Sequence, residues 1–137
     1  MKKIILFSAS VLFFVSLKAQ IFTRVNDGPV VHDSCNSYYA SWGDYEGDGD
    51  LDLYLPMWNS SLSNPFMKNY LYQNNCNGDF TKITAMPGGI INEPFGGSAS
   101  YWIDYNNDGG LDLFVNATRR PGINNSLYKK EKEGGYT

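Results

Sequence analysis

Asp44-Tyr45-Glu46-Gly47-Asp48-Gly49-Asp50-Leu51-Asp52 is the stretch on which the fold of this chain turns. Acidic side chains at alternate positions, Asp44, Glu46 and Asp48, with Asp52 closing the set, can turn inward on a tight loop and meet at one point. Carboxylates crowded in this way repel one another and raise one another's pKa, so the spacing calls for a hard, oxygen-loving cation at the centre. Calcium fits best, because it takes about 6–8 oxygen ligands from mixed carboxylates and carbonyls and tolerates irregular geometry. Gly49, sixth in the loop, stands where calcium loops bend sharply.

The helical calcium hand shares the opening pattern but requires a bidentate Glu at its twelfth position. Counted from Asp44, that position is Leu55, so Asp52 must close the loop. The flanks also argue against helices. Tyr38-Tyr39-Ala40-Ser41-Trp42 and Leu51-Asp52-Leu53-Tyr54-Leu55 set aromatic and aliphatic residues in near alternation, which is a strand signal. The loop is therefore predicted to join two strands.

The pattern recurs 60 residues on, as Asp104-Tyr105-Asn106-Asn107-Asp108-Gly109-Gly110-Leu111-Asp112, again preceded by a Tyr-Trp flank and followed by Leu113-Phe114-Val115. Downstream, Tyr70-Leu71-Tyr72-Gln73-Asn74 is answered by Ser126-Leu127-Tyr128-Lys129-Lys130, and Gly78-Asp79-Phe80-Thr81 by Gly134-Gly135-Tyr136-Thr137. Strands are predicted at 38–43, 51–57, 70–74 and 80–84 in one repeat, and at 98–103, 111–116, 126–129 and from 136 onward in the other. The loop at 58–69, rich in Ser and Asn, is longer than its counterpart around Arg119-Arg120-Pro121-Gly122. Variable loops on one face are where repeat proteins place binding.

With both loops and their flanks, the sequence resembles the FG-GAP or VCBS-type repeats of exported β-propellers, a group that includes the integrin α-subunit propeller. The resemblance runs from about residue 21 to the end. It implies an all-β fold of two antiparallel four-stranded β-propeller blades, at about 20–84 and 85–137, belonging to a larger propeller of which this chain is an N-terminal fragment. It also implies about two calcium ions, with side-chain ligands at loop positions one, three, five and nine and a backbone carbonyl at position seven. In this sequence those are Asp44, Glu46, Asp48, Asp50 and Asp52 in the first loop, and Asp104, Asn106, Asp108, Gly110 and Asp112 in the second. Glu46 stands where Asp or Asn is usual, so its extra methylene makes the first site the weaker. Gly110 replaces an Asp at the carbonyl-donating position.

Residues 1–19 have the form of a cleaved export signal: Lys2 and Lys3, an apolar run from 4 to 17, then a small residue at Ala19. The run is shorter than the roughly 20 residues a spanning helix needs, so no stable membrane span is expected and the mature chain would start at Gln20, secreted or at the cell surface. Without that segment the formal charge moves from −3 to −6, and eight of the 14 acidic residues lie in the two loops. No basic stripe of the kind a nucleic-acid partner needs is present, and Arg119-Arg120 and Lys129-Lys130 are expected to be solvated loop and strand-end residues.

Two cysteines in an exported chain invite a disulfide, but Cys35 and Cys76 fall at opposite ends of a blade, which weighs against a bridge without deciding it. His32 beside Asp33 is expected to be idle. No nucleophile elbow, phosphate loop or zinc pattern appears. The expected function is thus a non-enzymatic, calcium-stabilised module for adhesion or binding of a protein or carbohydrate ligand. The alternative is the propeller part of a secreted carbohydrate-active enzyme of the polysaccharide-lyase type, with its chemistry elsewhere. Further blades are expected to cover Leu53, Leu55, Leu113 and Val115, and the isolated chain to associate with itself.

Overall fold

The computed structural model describes residues 22–58, 68–92, 97–117 and 124–137. The segment 1–21, most of the loop at 58–69, and Arg119 to Gly122 lie outside them. Two antiparallel sheets make up the described chain. The first runs in the order β1 (Ser41–Gly43), β2 (Asp52–Leu55), β3 (Tyr70–Asn74), β4 (Phe80–Ile83). The second is β5 (Gly97–Ile103), β6 (Asp112–Ala117), β7 (Ser126–Tyr128).

The second sheet departs from the expected four strands. Its fourth position holds only a bridge between Lys130 and Tyr136, supported by paired bonds between Lys129 and Thr137 at 2.8 and 3.0 Å. Gly134 and Gly135, both at positive φ, make the turn that returns the chain to Lys129. A one-turn helix, α1 (Pro29–His32), was not expected; Pro29 pre-sets the first φ, and four residues are too few to show a helical period.

Strand register sorts the side chains. Ser41, Tyr54, Leu71 and Ile83 lie opposite one another and share one face of the first sheet. Trp102, Leu113 and Tyr128 share one face of the second, together with Ser100 and Val115. These two faces meet. Tyr54, Leu71, Leu113, Val115 and Tyr128 form the buried core with Ile90 and Ile91 of the connection and with Tyr136. Tyr54 seals it by donating its hydroxyl to the Ile90 carbonyl at 2.9 Å, and Ser41 and Ser100 bond across the strands at 2.7 Å. Trp102 stands edge-on to Tyr54 and rests directly on Gly43.

The other face of the first sheet is covered by the segment before β1 over Leu53 and Tyr72, while Trp42 stays half exposed. Tyr72 donates to Asp33 at 2.7 Å, Lys82 pairs with the same carboxylate at 2.8 Å, and Ser37 reaches the Pro56 carbonyl. The other face of the second sheet carries Tyr101, Ile103 and Leu127, all about half exposed. The expectation about uncovered residues is therefore corrected for three of the four, Leu55 being only partly buried. Leu53, Leu113 and Val115 are buried, because their face of each sheet already has a cover.

The bonds from Lys82 and Tyr72 hold the Asp33 carboxyl below its ordinary 3.8. A depressed folded pKa stabilises the fold above the unfolded value, and that contribution is lost as pH falls through the folded value. The urea midpoint of Asp33→Asn should therefore lie below wild type near neutral pH, and the gap should close from about pH 4 downward. A constant gap across that range would contradict the assignment.

Candidate metal centre

Each acidic loop sits between the first two strands of its sheet, and both are built on the same backbone. Positive φ falls at the fourth and sixth positions of each: Gly47 (84°) and Gly49 (99°), then Asn107 (58°) and Gly109 (89°). Only the fourth position of the second loop lacks glycine, and Asn is among the residues that tolerate the left-handed region. These bends aim successive N–H groups at the first carboxylate. Asp44 accepts from Asp48 and Gly49 at 3.0 and 2.9 Å, and Asp104 from Asp108 and Gly109 at 3.1 and 3.0 Å. The fifth residue repeats the device, Asp48 accepting from Asp50 and Asp108 from Gly110, each at 3.0 Å.

The ninth position carries the strongest signal. Asp52 is 1% exposed and Asp112 is 0% exposed, each at the start of a second strand. Asp52 accepts from Tyr45 at 3.0 Å and Asn74 at 2.8 Å; Asp112 accepts from Tyr105 at 3.3 Å and Lys130 at 2.8 Å. Among the described residues, neither has a cationic side chain within ion-pair distance. Burial pushes the Asp52 carboxyl upward, against the pull of its two N–H donors. Buried carboxylates are ordinarily paired with a cation or bound to a metal. The loops themselves offer carboxylate, amide and carbonyl oxygens, the donor set of calcium rather than of a soft metal, but among the described residues the predicted carboxylate ligands of either loop are not drawn into one cluster.

The third positions differ. Asn106 stays in its loop, accepting from the Asp108 N–H at 2.9 Å and donating to the Asp108 carboxylate at 2.9 Å. Glu46 instead reaches out to Gln73, whose side-chain amide donates to its carboxylate. The additional methylene carries the group past the loop. Asp50 turns its side chain toward Cys76, and the Asp48, Asp50 and Cys76 ligand atoms lie within 4.8 Å of one another. The bond to Asp50 pushes the Cys76 thiol up to about 11. A thiol so protonated is no ligand for a hard cation. Gly110 keeps only its backbone to offer at the seventh position.

Both cysteines are free and exposed. His32 bonds to Asp27 at 3.0 Å rather than to Asp33, so the neighbouring pair in sequence is not a pair in space. One residue at the site, Lys130, was expected only as a solvated strand end, and that expectation is corrected. Lys130 enters the cleft of about 190 Å³ between the two loops, which is lined also by Asp44, Tyr45, Glu46 and Gly110. Its alignment with Asn74, at the end of the matched Leu-Tyr elements, was the available signal.

Residues 59–115 match the family model of the FG-GAP-like repeat. The matched stretch contains the whole second loop and the linker between the sheets, and begins after the first loop. Comparison with curated proteins and with solved structures gave no match. Among the described residues, no helix is long and apolar enough to cross a membrane.

Proposed function

We propose that this chain, which carries an FG-GAP-like repeat in a frame of two stacked antiparallel sheets, is an exported β-propeller-type binding module whose two acidic loops each take a calcium ion. The observation that carries the metal reading is the pair of buried carboxylates, Asp52 and Asp112, without cationic partners among the described residues. In the first loop, Asp44, Asp48 and Asp52 with the Asp50 carbonyl would hold the ion. In the second, Asp104, Asn106, Asp108 and Asp112 with the Gly110 carbonyl would do so. Bound calcium supplies the charge that lets several carboxylates share one turn.

The ion's role is structural. Calcium binds the folded loop and hardly the unfolded chain, so it stabilises the fold by mass action, about 2.7 kcal/mol per site at 100-fold excess over the dissociation constant. Extracellular modules have dissociation constants of about 10⁻⁴–10⁻³ M, so the gain in such a setting is smaller. On this reading the loops close around the ion rather than keep a position open for a substrate. The module serves adhesion or capture of a protein or carbohydrate ligand, with further repeats of its kind as neighbours, and residues 1–19 direct its export.

Calorimetric titration after chelation should find about two sites, the first weaker because Glu46 is drawn aside. Asp108→Ala should abolish the second and leave the first in place, since the Asp108 carboxylate bonds only within its own loop. Equal melting temperatures with calcium and with chelator would refute the reading. Mass spectrometry of the exported protein should find Gln20 at its N-terminus.

A further inference from the structure

Lys130 occupies in the second repeat the place that Asn74 occupies in the first, two residues beyond Tyr128 and Tyr72. Both residues close the ninth position of their own loop through the backbone, each N–H donating to its Asp at 2.8 Å. Their side chains then part. Asn74 folds back and donates to the Leu51 carbonyl of its own loop at 3.2 Å. Lys130 crosses to the other sheet, where its ammonium donates to the Tyr45 carbonyl at 2.6 Å. There it lies near the rings of Tyr45 and Tyr136, 5.5 and 5.0 Å from their centroids.

The crossing depends on Gly110. A Cβ at that position would lie 3.0 Å from Lys130 Cγ and 3.1 Å from its Cβ, so a side chain there would press on the lysine stem. The residue missing an acidic side chain at the seventh position of the second loop is thus the one that lets Lys130 through. The acidic groups that act on the ammonium are Glu46, Asp44 and Asp52, all of the first loop, and none is within 4.0 Å to form an ion pair. The charge is placed to act on the loop as a whole rather than to saturate one carboxylate.

We propose that Lys130 is a tethered cation which the second repeat lends to the first acidic loop: it competes with a metal ion there and ties the two loops together when no metal is bound. This rests on the calcium reading given above. One fixed positive charge beside a divalent ion, partly screened by solvent and salt, lowers affinity by about two- to tenfold.

The test uses the full chain carrying Asp108→Ala, so that calorimetry reads the first loop alone, with and without Lys130→Met. The double variant should bind calcium about two- to tenfold more tightly than its parent, and the gap should narrow in high salt. Lys130→Arg, which keeps the charge, should stay within about twofold of the parent. Lys68→Met, an equal change in net charge at an exposed position, should leave the affinity where it was. In the otherwise wild-type chain, Lys130→Met should lower the melting temperature in chelator and lower it less in saturating calcium.

If the parent binds calcium and Lys130→Met binds no tighter, or if Lys68→Met gains as much, the proposal is overturned while the calcium reading stands. If the wild-type chain takes no calcium in either loop, that reading fails and the competition falls with it. Should Lys130→Met fold only with calcium, the tie between the loops is supported; should it fold under neither condition, Lys130→Gln and Lys130→Arg carry the comparison.

Discussion

Asp52→Ala should cost about 3–5 kcal/mol of unfolding free energy, in chelator as well as in calcium, because the carboxylate stabilises the fold before it meets any metal. Its two oxygens accept the Tyr45 and Asn74 N–H groups, at the entry of the loop and at the end of β3. Alanine would strand both donors, each hydrogen bond to a charged group being worth about 1.5–3 kcal/mol. Asp48→Ala provides the contrast. Asp48 is exposed and its carboxylate serves the neighbouring N–H of Asp50, so its removal should cost less than about 1 kcal/mol in chelator and show its main effect only with calcium. Urea unfolding of both variants under both conditions separates scaffold from ligand. A loss for Asp52→Ala that appears only with calcium would make it a ligand and nothing more.

Gly43→Ala should destabilise the chain by about 3 kcal/mol despite adding one methyl group. The new Cβ would stand 2.4 Å from Cγ and 2.5 Å from Cδ1 of Trp102. Those atoms lie at the root of the indole, so a small swing of the ring does not clear them. Displacing the ring disturbs its contacts with Tyr54 and Tyr136 and parts the two sheets at their tightest point. Trp102→Ala alone should cost about 3–5 kcal/mol through the cavity it leaves. In the double variant the two costs should fall well short of adding, because the clash vanishes with the ring. Additive costs by urea unfolding would show that Gly43 and Trp102 do not meet as described.

Much of this was legible in the residues. The 60-residue offset between the loops appears in the structure as shared positive φ at the fourth and sixth positions and as matching bonds around the ninth. Alternation placed seven strands, with errors at the ends. β1 is shorter than expected because residues 38–40 leave the ladder, with Tyr38 packing edge-on against Trp58. Leu51, read as a strand residue, is exposed in the loop. The burial of Leu53, Leu113 and Val115 was not legible, since periodicity gives two faces to a strand but does not say what covers each. The reach of Lys130 was also hidden, because a side chain that crosses between sheets obeys no period.

The contact of Trp102 with Gly43 gives the stack a direction. In the second sheet, the places of Ser41, Gly43, Tyr54 and Leu71 are taken by Tyr101, Ile103, Phe114 and Leu127. Ile103 is half exposed and stands where the first sheet leaves a notch for an indole. A sheet seated on that outer side, presenting a tryptophan as the second sheet does, would find the notch filled. The joint is therefore single-use: a third sheet on that side would have to offer a smaller residue there or sit further out. One copy of the chain cannot extend another by the same fit, with Trp42 laid upon Ile103, so the side that looks most open to runaway growth is keyed against its own kind.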